Sequence, residues 1–312
     1  GSSCRWRTLA LPCARPGVAA ASPPMGNNCA TLCESSDGVA NVVACIEEKQ
    51  PGLRPFDESS ASSPSSQVNA LLSGGGRQLA DGMVYLGGWL EGQQHGSGIQ
   101  IWPDCAKYEG EWLQGKAHGR GKFYHADGDV YDGEWEADKA HGKGVYSHAD
   151  GTVYEGFWVA DKQHGLGSET WADGAKFAGH YICSRKHGTG RFLWHDGSEY
   201  QGEFKDNEIN GEGVYIWTDG RKYEGQWMQN RMHGHGLFSW SDGRAYEGEY
   251  IVDQKQGHGI FRWPDGRLYD GSWKEGRQHG PGAYWTARGD KRFGEWEDGR
   301  RTRWNDDAKE DS

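Results

Sequence analysis

Seven histidines, His95, His118, His141, His164, His187, His233 and His279, share one slot in a pattern that returns every 23 residues. A file of imidazoles invites a metal centre, because the neutral ring nitrogen is a common metal ligand. The interval argues against it. If each copy of the pattern is a pair of strands, equivalent side chains fall about 9.6 Å apart, whereas the ligands of one ion lie within about 2 Å of it. Asn210 and Gln256 hold the same slot in two further copies, and amides are poor metal ligands but competent hydrogen-bond partners. The expected role is a side chain that satisfies backbone groups at a turn, with no metal and no cofactor.

Two residues before these histidines runs a basic file, Lys116, Lys139, Lys162, Arg185, Arg231 and Arg277. It could meet the headgroups of acidic phospholipids, although solvated loop charges are the commoner meaning of such a pattern. The chain as a whole carries 34 Lys+Arg against 45 Asp+Glu, a formal charge of −11. That balance excludes a nucleic-acid partner, which would need a concentrated basic surface. A sharper membrane signal is "MGNNCATLC" at Met25. A chain starting there would expose Gly26 for N-myristoylation and place Cys29 and Cys33 for S-palmitoylation, although Ala30 fills the Ser/Thr slot of the motif and Thr31 comes one residue late.

Catalysis finds no foothold. The aspartates recur as punctuation between copies, no nucleophile sits beside a unique base, and the glycine pairs do not open a strand-to-helix phosphate loop. The expectation is a protein that is not an enzyme. Cysteines 4, 13, 29, 33, 45, 105 and 183 are scattered, which reads as reduced and intracellular. No apolar run approaches the ~20 residues of a membrane-spanning helix.

The elements that must carry these files follow from the pattern itself. Its first slot holds Tyr85, Tyr108, Tyr131, Tyr154, Phe177, Tyr200, Tyr223, Tyr246 and Tyr269, with a degenerate tenth start at Arg292. Positions 1, 3 and 5 are mostly Tyr, Gly and Trp, while 2 and 4 are commonly acidic, the alternation of a half-buried strand. Glycine at position 3 is a poor strand former, so a neighbouring aromatic ring is expected to occupy its side-chain space. Position 8 is nearly always Gly, Asn or Asp, which predicts a turn with a left-handed residue there. A second strand follows, with aromatics at 16 and often Trp at 18, and Asp-Gly at 20 and 21 reads as the next hairpin turn. Repeats of this kind bury their apolar faces only by stacking on neighbours. The fold class is therefore all-β: an elongated single-layer antiparallel β-hairpin ribbon. With nothing layered over the rings, Trp112, Trp135, Trp158, Trp194, Trp217, Trp227, Trp240, Trp263 and Trp273 are expected to line a half-open aromatic groove.

The phrase YxGxW…HGxG…DG resembles the MORN (membrane occupation and recognition nexus) repeat, about nine times over residues 85 to 299. Phe177, Tyr181, Phe204, Asn210, Tyr250, Gln256 and Arg292 depart from it, mildly except for the last. The resemblance implies a β ribbon with scaffolding roles, homodimerisation and affinity for acidic phospholipids. Its members include junctophilin-like membrane tethers, radial-spoke and cytoskeletal scaffolds, and the non-catalytic front regions of plant phosphatidylinositol phosphate kinases.

Residues 1–73 are expected to form a disordered segment and linker, with a short helix at 38–50, residues 74–299 the ribbon, opened by a lone strand, and 300–312 a charged tail. The leading functional expectation is a non-enzymatic scaffold or tether presenting a protein partner at the cytosolic face of a membrane. The alternatives are a ciliary or cytoskeletal scaffold without a lipid anchor, and the regulatory region of a phosphatidylinositol phosphate kinase.

Overall fold

The computed structural model describes residues 64–79 and 82–305. Gly26, Cys29, Cys33 and the helix expected at 38–50 lie outside the described residues. Each strand, from Arg77–Gln78 to Arg300–Trp304, pairs antiparallel with the next in sequence, so that 21 strands form one uninterrupted meander.

Each of the first nine hairpins joins a seven-residue strand such as Val130–Glu136 to a nine-residue strand such as Lys139–Ser147. The turn between them has positive φ at both central residues, +49° at Ala137 and +68° at Asp138, as a two-residue type I′ turn requires. The left-handed residue expected at position 8 is present, and position 7 is left-handed too. The second turn differs from expectation. Asp-Gly is not a two-residue loop here. His125 N–H donates to Asp129 O at 2.8 Å and Gly128 N–H to His125 O at 3.2 Å, which closes a three-residue loop with Gly128 at φ +97°. The aspartate caps that loop: Asp196 Oδ1, for instance, accepts from Ser198 N–H at 2.8 Å.

Position 3 is crowded from two sides. A Cβ on Gly156 would lie 2.5 Å from the Tyr154 hydroxyl and 2.7 Å from Gly167 Cα on the facing strand. The ring expected over this glycine is therefore the repeat's own tyrosine, lying across the Gly156–Gly167 pair. Just beyond, the register slips between Gly156 and Trp158, and Gly165 takes φ +65° to make room. The tyrosine hydroxyl completes this bulge by donating to the carbonyl it frees, as Tyr154 does to Phe157 O at 3.1 Å and Tyr200 to Glu203 O at 3.0 Å.

The core is a single layer of rings. Tyr85, Tyr108, Tyr154, Tyr200, Tyr223, Tyr246 and Tyr269 are almost wholly buried, each with its edge against the indole or phenyl ring at position 5. Indole nitrogens then tie repeat to repeat: Trp135 Nε1 donates to Gly121 O and Trp273 Nε1 to Gly259 O, both at 2.9 Å.

Two expectations at the ends need correction. Ten residues of the expected linker, Pro64–Ser73, form a helix; Pro64 suits its first turn and Gly75, at φ +94°, closes it. The lone opening strand is Arg77–Gln78. At the other end the degenerate tenth start completes its hairpin, because Arg300–Trp304, placed in the charged tail from sequence, pairs with Lys291–Glu297.

Candidate ligand-binding trough

Side chains at positions 10, 16 and 18 share the ring-bearing face and build a trough along it. Its rings form a near-continuous ladder: Phe192 to Trp194 at 4.4 Å, Trp194 to Tyr215 at 5.1 Å, Tyr215 to Trp217 at 4.5 Å and Trp217 to Phe238 at 5.3 Å between centroids. Position 10 supplies the floor and varies from repeat to repeat. Over Ile209 and Met232 the trough opens into a cavity of about 390 Å³, walled by Trp194, Tyr215, Trp217 and Trp227, with Asn230 and Asp253 at its rim.

Two lysines close the trough on either side of this opening. Lys186, at position 10 of the fifth repeat, puts its ammonium 4.7 Å from the Trp171 ring centroid and 3.1 Å from Glu169 Oε2, a buried carboxylate that also accepts from Tyr181 Oη. Lys255, at the same slot of the eighth repeat, lies 4.8–5.0 Å from the centroids of Trp240, Tyr246, Phe261 and Trp273. Burial among these rings, helped by nearby Arg244, pushes the Lys255 amine down to about 8.

The expected aromatic groove is thus corrected in its membership. Trp112, Trp135, Trp158, Trp227 and Trp273, at position 5, are buried core, and of these only Trp227 also walls the opening. The half-buried Trp194, Trp217, Trp240 and Trp263, at position 18, carry the accessible ring surface. Lys186, Lys255 and Glu169 escaped the sequence reading: position 10 varies too much to mark a lysine there, while Glu169 does break the mostly aromatic run at position 16. The charge at Glu169 was the available signal.

The histidine file does less than expected. Gln256 fills the predicted role, its Oε1 accepting from Glu275 N–H in the next turn at 3.0 Å. The Nδ1 atoms of His95, His233 and His279 are buried without a hydrogen-bond partner, and His141 Nδ1 faces Glu136 Oε2 at 3.2 Å. Among the described residues no group of three or more His, Cys, Asp or Glu is arranged to hold a metal ion, and no helix is long and apolar enough to cross a membrane.

The basic file is exposed beside the type I′ turns, on the face away from the rings. Arg185 meets Asp206 at 3.1 Å and Arg231 meets Asp253 at 3.6 Å. Across each hairpin these bases face position 6, as in the pairs Leu113 and Lys116, Val159 and Lys162, and Ile182 and Arg185. The aliphatic neighbours were not foreseen from sequence.

The MORN repeat family matches nine consecutive segments: residues 85–104, 108–130, 131–153, 154–176, 177–199, 200–220, 223–243, 246–266 and 269–291. The chain belongs to the MORN repeat family. Comparison of the MORN chain with curated proteins gives no match. Among solved structures it is similar to the TCP10 domain of Danio rerio CPAP in complex with a STIL peptide, at 12% identity and a TM-score of 0.40, over 73% of this chain and 97% of that one. The CPAP G-box domain gives 12% identity and a TM-score of 0.36, over 65% and 100%. The Drosophila melanogaster SAS-4 TCP domain, in complex with a proline-rich motif of Ana2, gives 14% and 0.29, over 72% and 99%. Likenesses this loose say nothing about activity or partner. The MORN family is typically non-catalytic, and its repeats serve as scaffolds.

Proposed function

We propose that this MORN ribbon is a non-enzymatic scaffold that holds an extended segment of a protein partner in the trough over Ile209 and Met232, at the cytosolic face of a membrane. The observation that carries this reading is the opening between Lys186 and Lys255. In the two flanking repeats the floor is filled by Lys186 and Lys255, whereas here aromatic walls stand around about 390 Å³ of space. Rigid ring-lined slots with a polar rim are common recognition surfaces for extended chains, because the rings bury area at little entropic cost. Membrane attachment in this reading comes from acylation at Gly26, Cys29 and Cys33. The basic file adds little, since the chain is acidic and Arg185 and Arg231 are engaged by aspartates.

Met232→Lys tests the trough, because it copies an arrangement that the same fold already accommodates at Lys186 and Lys255. Proximity labelling in cells should lose its protein partners in this variant while the melting temperature holds; an unchanged partner set would overturn the trough. A reporter carrying residues 25–60 should fractionate with membranes and be released by Gly26→Ala. If it stays soluble, the anchor is wrong and the reading becomes an unanchored cytoskeletal or ciliary scaffold.

A further inference from the structure

The four rings that enclose Lys255 form a frame, and the same frame recurs at Ile209, two repeats earlier. Around the lysine, Trp240 lies 5.6 Å from Phe261, Phe261 6.2 Å from Trp273, and Tyr246 5.0 Å from Trp273 between centroids. The matching pairs around Ile209 are Trp194 to Tyr215 at 5.1 Å, Tyr215 to Trp227 at 6.1 Å and Tyr200 to Trp227 at 5.7 Å. In the first frame an ammonium sits 4.8–5.0 Å from all four centroids, within the range at which a ring attracts a cation. In the second, position 10 is isoleucine, which is shorter than lysine and ends as buried floor beneath the opening of about 390 Å³. The fold thus repeats a cation's frame without its cation. Charge favours filling it from outside: the chain carries −11, and Asp253 stands at the rim. Arg244, the like charge 5.4 Å from the Trp240 ring, has Ser198 as its counterpart at the Ile209 frame. At the Met232 slot the counterpart is Arg221, 5.3 Å from the Trp217 ring, so the Ile209 slot is the more welcoming of the two.

We propose that the slot over Ile209 is an aromatic cage for a quaternary ammonium, the side chain of a trimethylated lysine in the partner segment. This rests on the trough reading and names what the trough recognises. The polar groups around the opening decide against a primary ammonium, because each already serves the chain. Asn230 Oδ1 accepts from Ile209 N–H at 2.7 Å and Asp253 Oδ1 from Met232 N–H at 2.8 Å, while Asp253 Oδ2 faces Arg231 at 3.6 Å. Tyr215 Oη donates to Ser198 Oγ at 3.1 Å. Glu169, which holds the Lys186 ammonium, has Phe192 as its counterpart here. A primary ammonium in this slot would surrender its hydrogen bonds to water with little in return. A trimethylated one has no N–H to satisfy, and its methyl groups bring the charge into direct contact with the rings.

Nuclear magnetic resonance of the full chain tests this, with acetyl-trimethyllysine methylamide as the probe and the indole N–H signals as the readout. Trp194, Trp217 and Trp227 should shift, with an affinity about tenfold above that of the unmethylated probe and of the neutral isostere whose quaternary centre is carbon. Ile209→Lys should abolish these shifts at an unchanged melting temperature, since it supplies the slot with the chain's own ammonium. Lys255→Ile should do the converse and add weaker shifts at Trp240 and Trp273, a gain that no loss of folding could produce. Equal binding of the probe and its neutral isostere, shifts that survive Ile209→Lys, or no new shifts in Lys255→Ile overturns the cage. Binding to phosphatidylcholine vesicles that Ile209→Lys abolishes would overturn the assignment to a protein and give the cage to a choline headgroup. If the cage fails while Met232→Lys still loses its protein partners, the trough reading stands and only its ligand is wrong. If Met232→Lys keeps those partners, the trough reading falls and the trimethylated lysine with it.

Discussion

Lys255 and Lys186 occupy equivalent slots under different electrostatic terms. Lys186 has Glu169 at 3.1 Å, while Lys255 is buried near the like charge of Arg244 and, among the described residues, meets four rings in place of a carboxylate. Burying an ammonium without a counter-ion costs stability, and cation–π contacts return only part of that. Lys255→Met should therefore stabilise the ribbon at pH 7, by about 1–3 kcal/mol. The pH dependence has a definite sign. The unfolded chain holds this proton up to the ordinary lysine range near 10.5, whereas the folded chain releases it near 8. Between those values the unfolded state binds more protons, so wild-type stability rises with pH. The advantage of methionine should be full below pH 8 and shrink toward 10.5. Paired thermal melts across that range check it, and a pH-independent difference would show that the cation is not the source. Val252 is a second residue at odds with its place, a β-branched side chain at φ +50° in a type I′ turn.

Within one hairpin, three close approaches depend on one another. The tyrosine ring lies on the glycine pair at positions 3 and 14, its hydroxyl serves the carbonyl released by the bulge, and the bulge needs the left-handed glycine at position 12. Phe177 shows that the hydroxyl can be lost in one repeat without losing the hairpin. The glycine at position 3 should be less forgiving. In Gly156→Val the new atoms would meet the facing Gly167 backbone as well as the Tyr154 hydroxyl, and backbone cannot yield by changing rotamer. Overpacking usually costs about 1–3 kcal/mol, and this variant should lie at or above the top of that range in urea unfolding.

At the scale of the molecule, stability is carried from neighbour to neighbour, since each strand pairs only with those before and after it. Indole-to-carbonyl bonds and type I′ turns reinforce these seams. Asp161 N–H donates to Ala140 O at 3.0 Å, and Asp161 Oδ1 accepts from Ala140 N–H at 2.8 Å. With comparable seams throughout, the wild-type ribbon should unfold in one transition, and a single broken repeat should divide it. Gly156→Val is therefore expected to give two transitions, with amides in residues 246–297 remaining protected from hydrogen exchange after those around 154–167 have opened. Loss of protection everywhere at once would mean that the array acts as one indivisible unit.

The sequence by itself determined the repeat length, the strand pairs, the aromatic face and the register from Tyr85 to Arg292, because each is written locally and repeated until chance is excluded. It also determined that position 3 must be empty. What it could not supply was depth. Tyr, Trp at position 5 and Trp at position 18 look alike as letters, but the twist and the bulge bury the first two and leave the third nearer the surface, so of the nine tryptophans foreseen for the groove Trp112, Trp135, Trp158 and Trp273 went to the core while Trp194, Trp217, Trp240 and Trp263 line the trough, and Tyr215 joins them. The same holds for Lys186 and Lys255, whose burial depends on rings one repeat before and after them. Local pattern also misjudged the Asp-Gly turn, whose length is set by the pairing of His125 with Asp129, and the tail at Arg300, which becomes a strand because Lys291–Glu297 offers it an edge. Tertiary structure decided these points because each depends on which atoms of a neighbouring repeat come within reach, and that distance is not a property of any single segment.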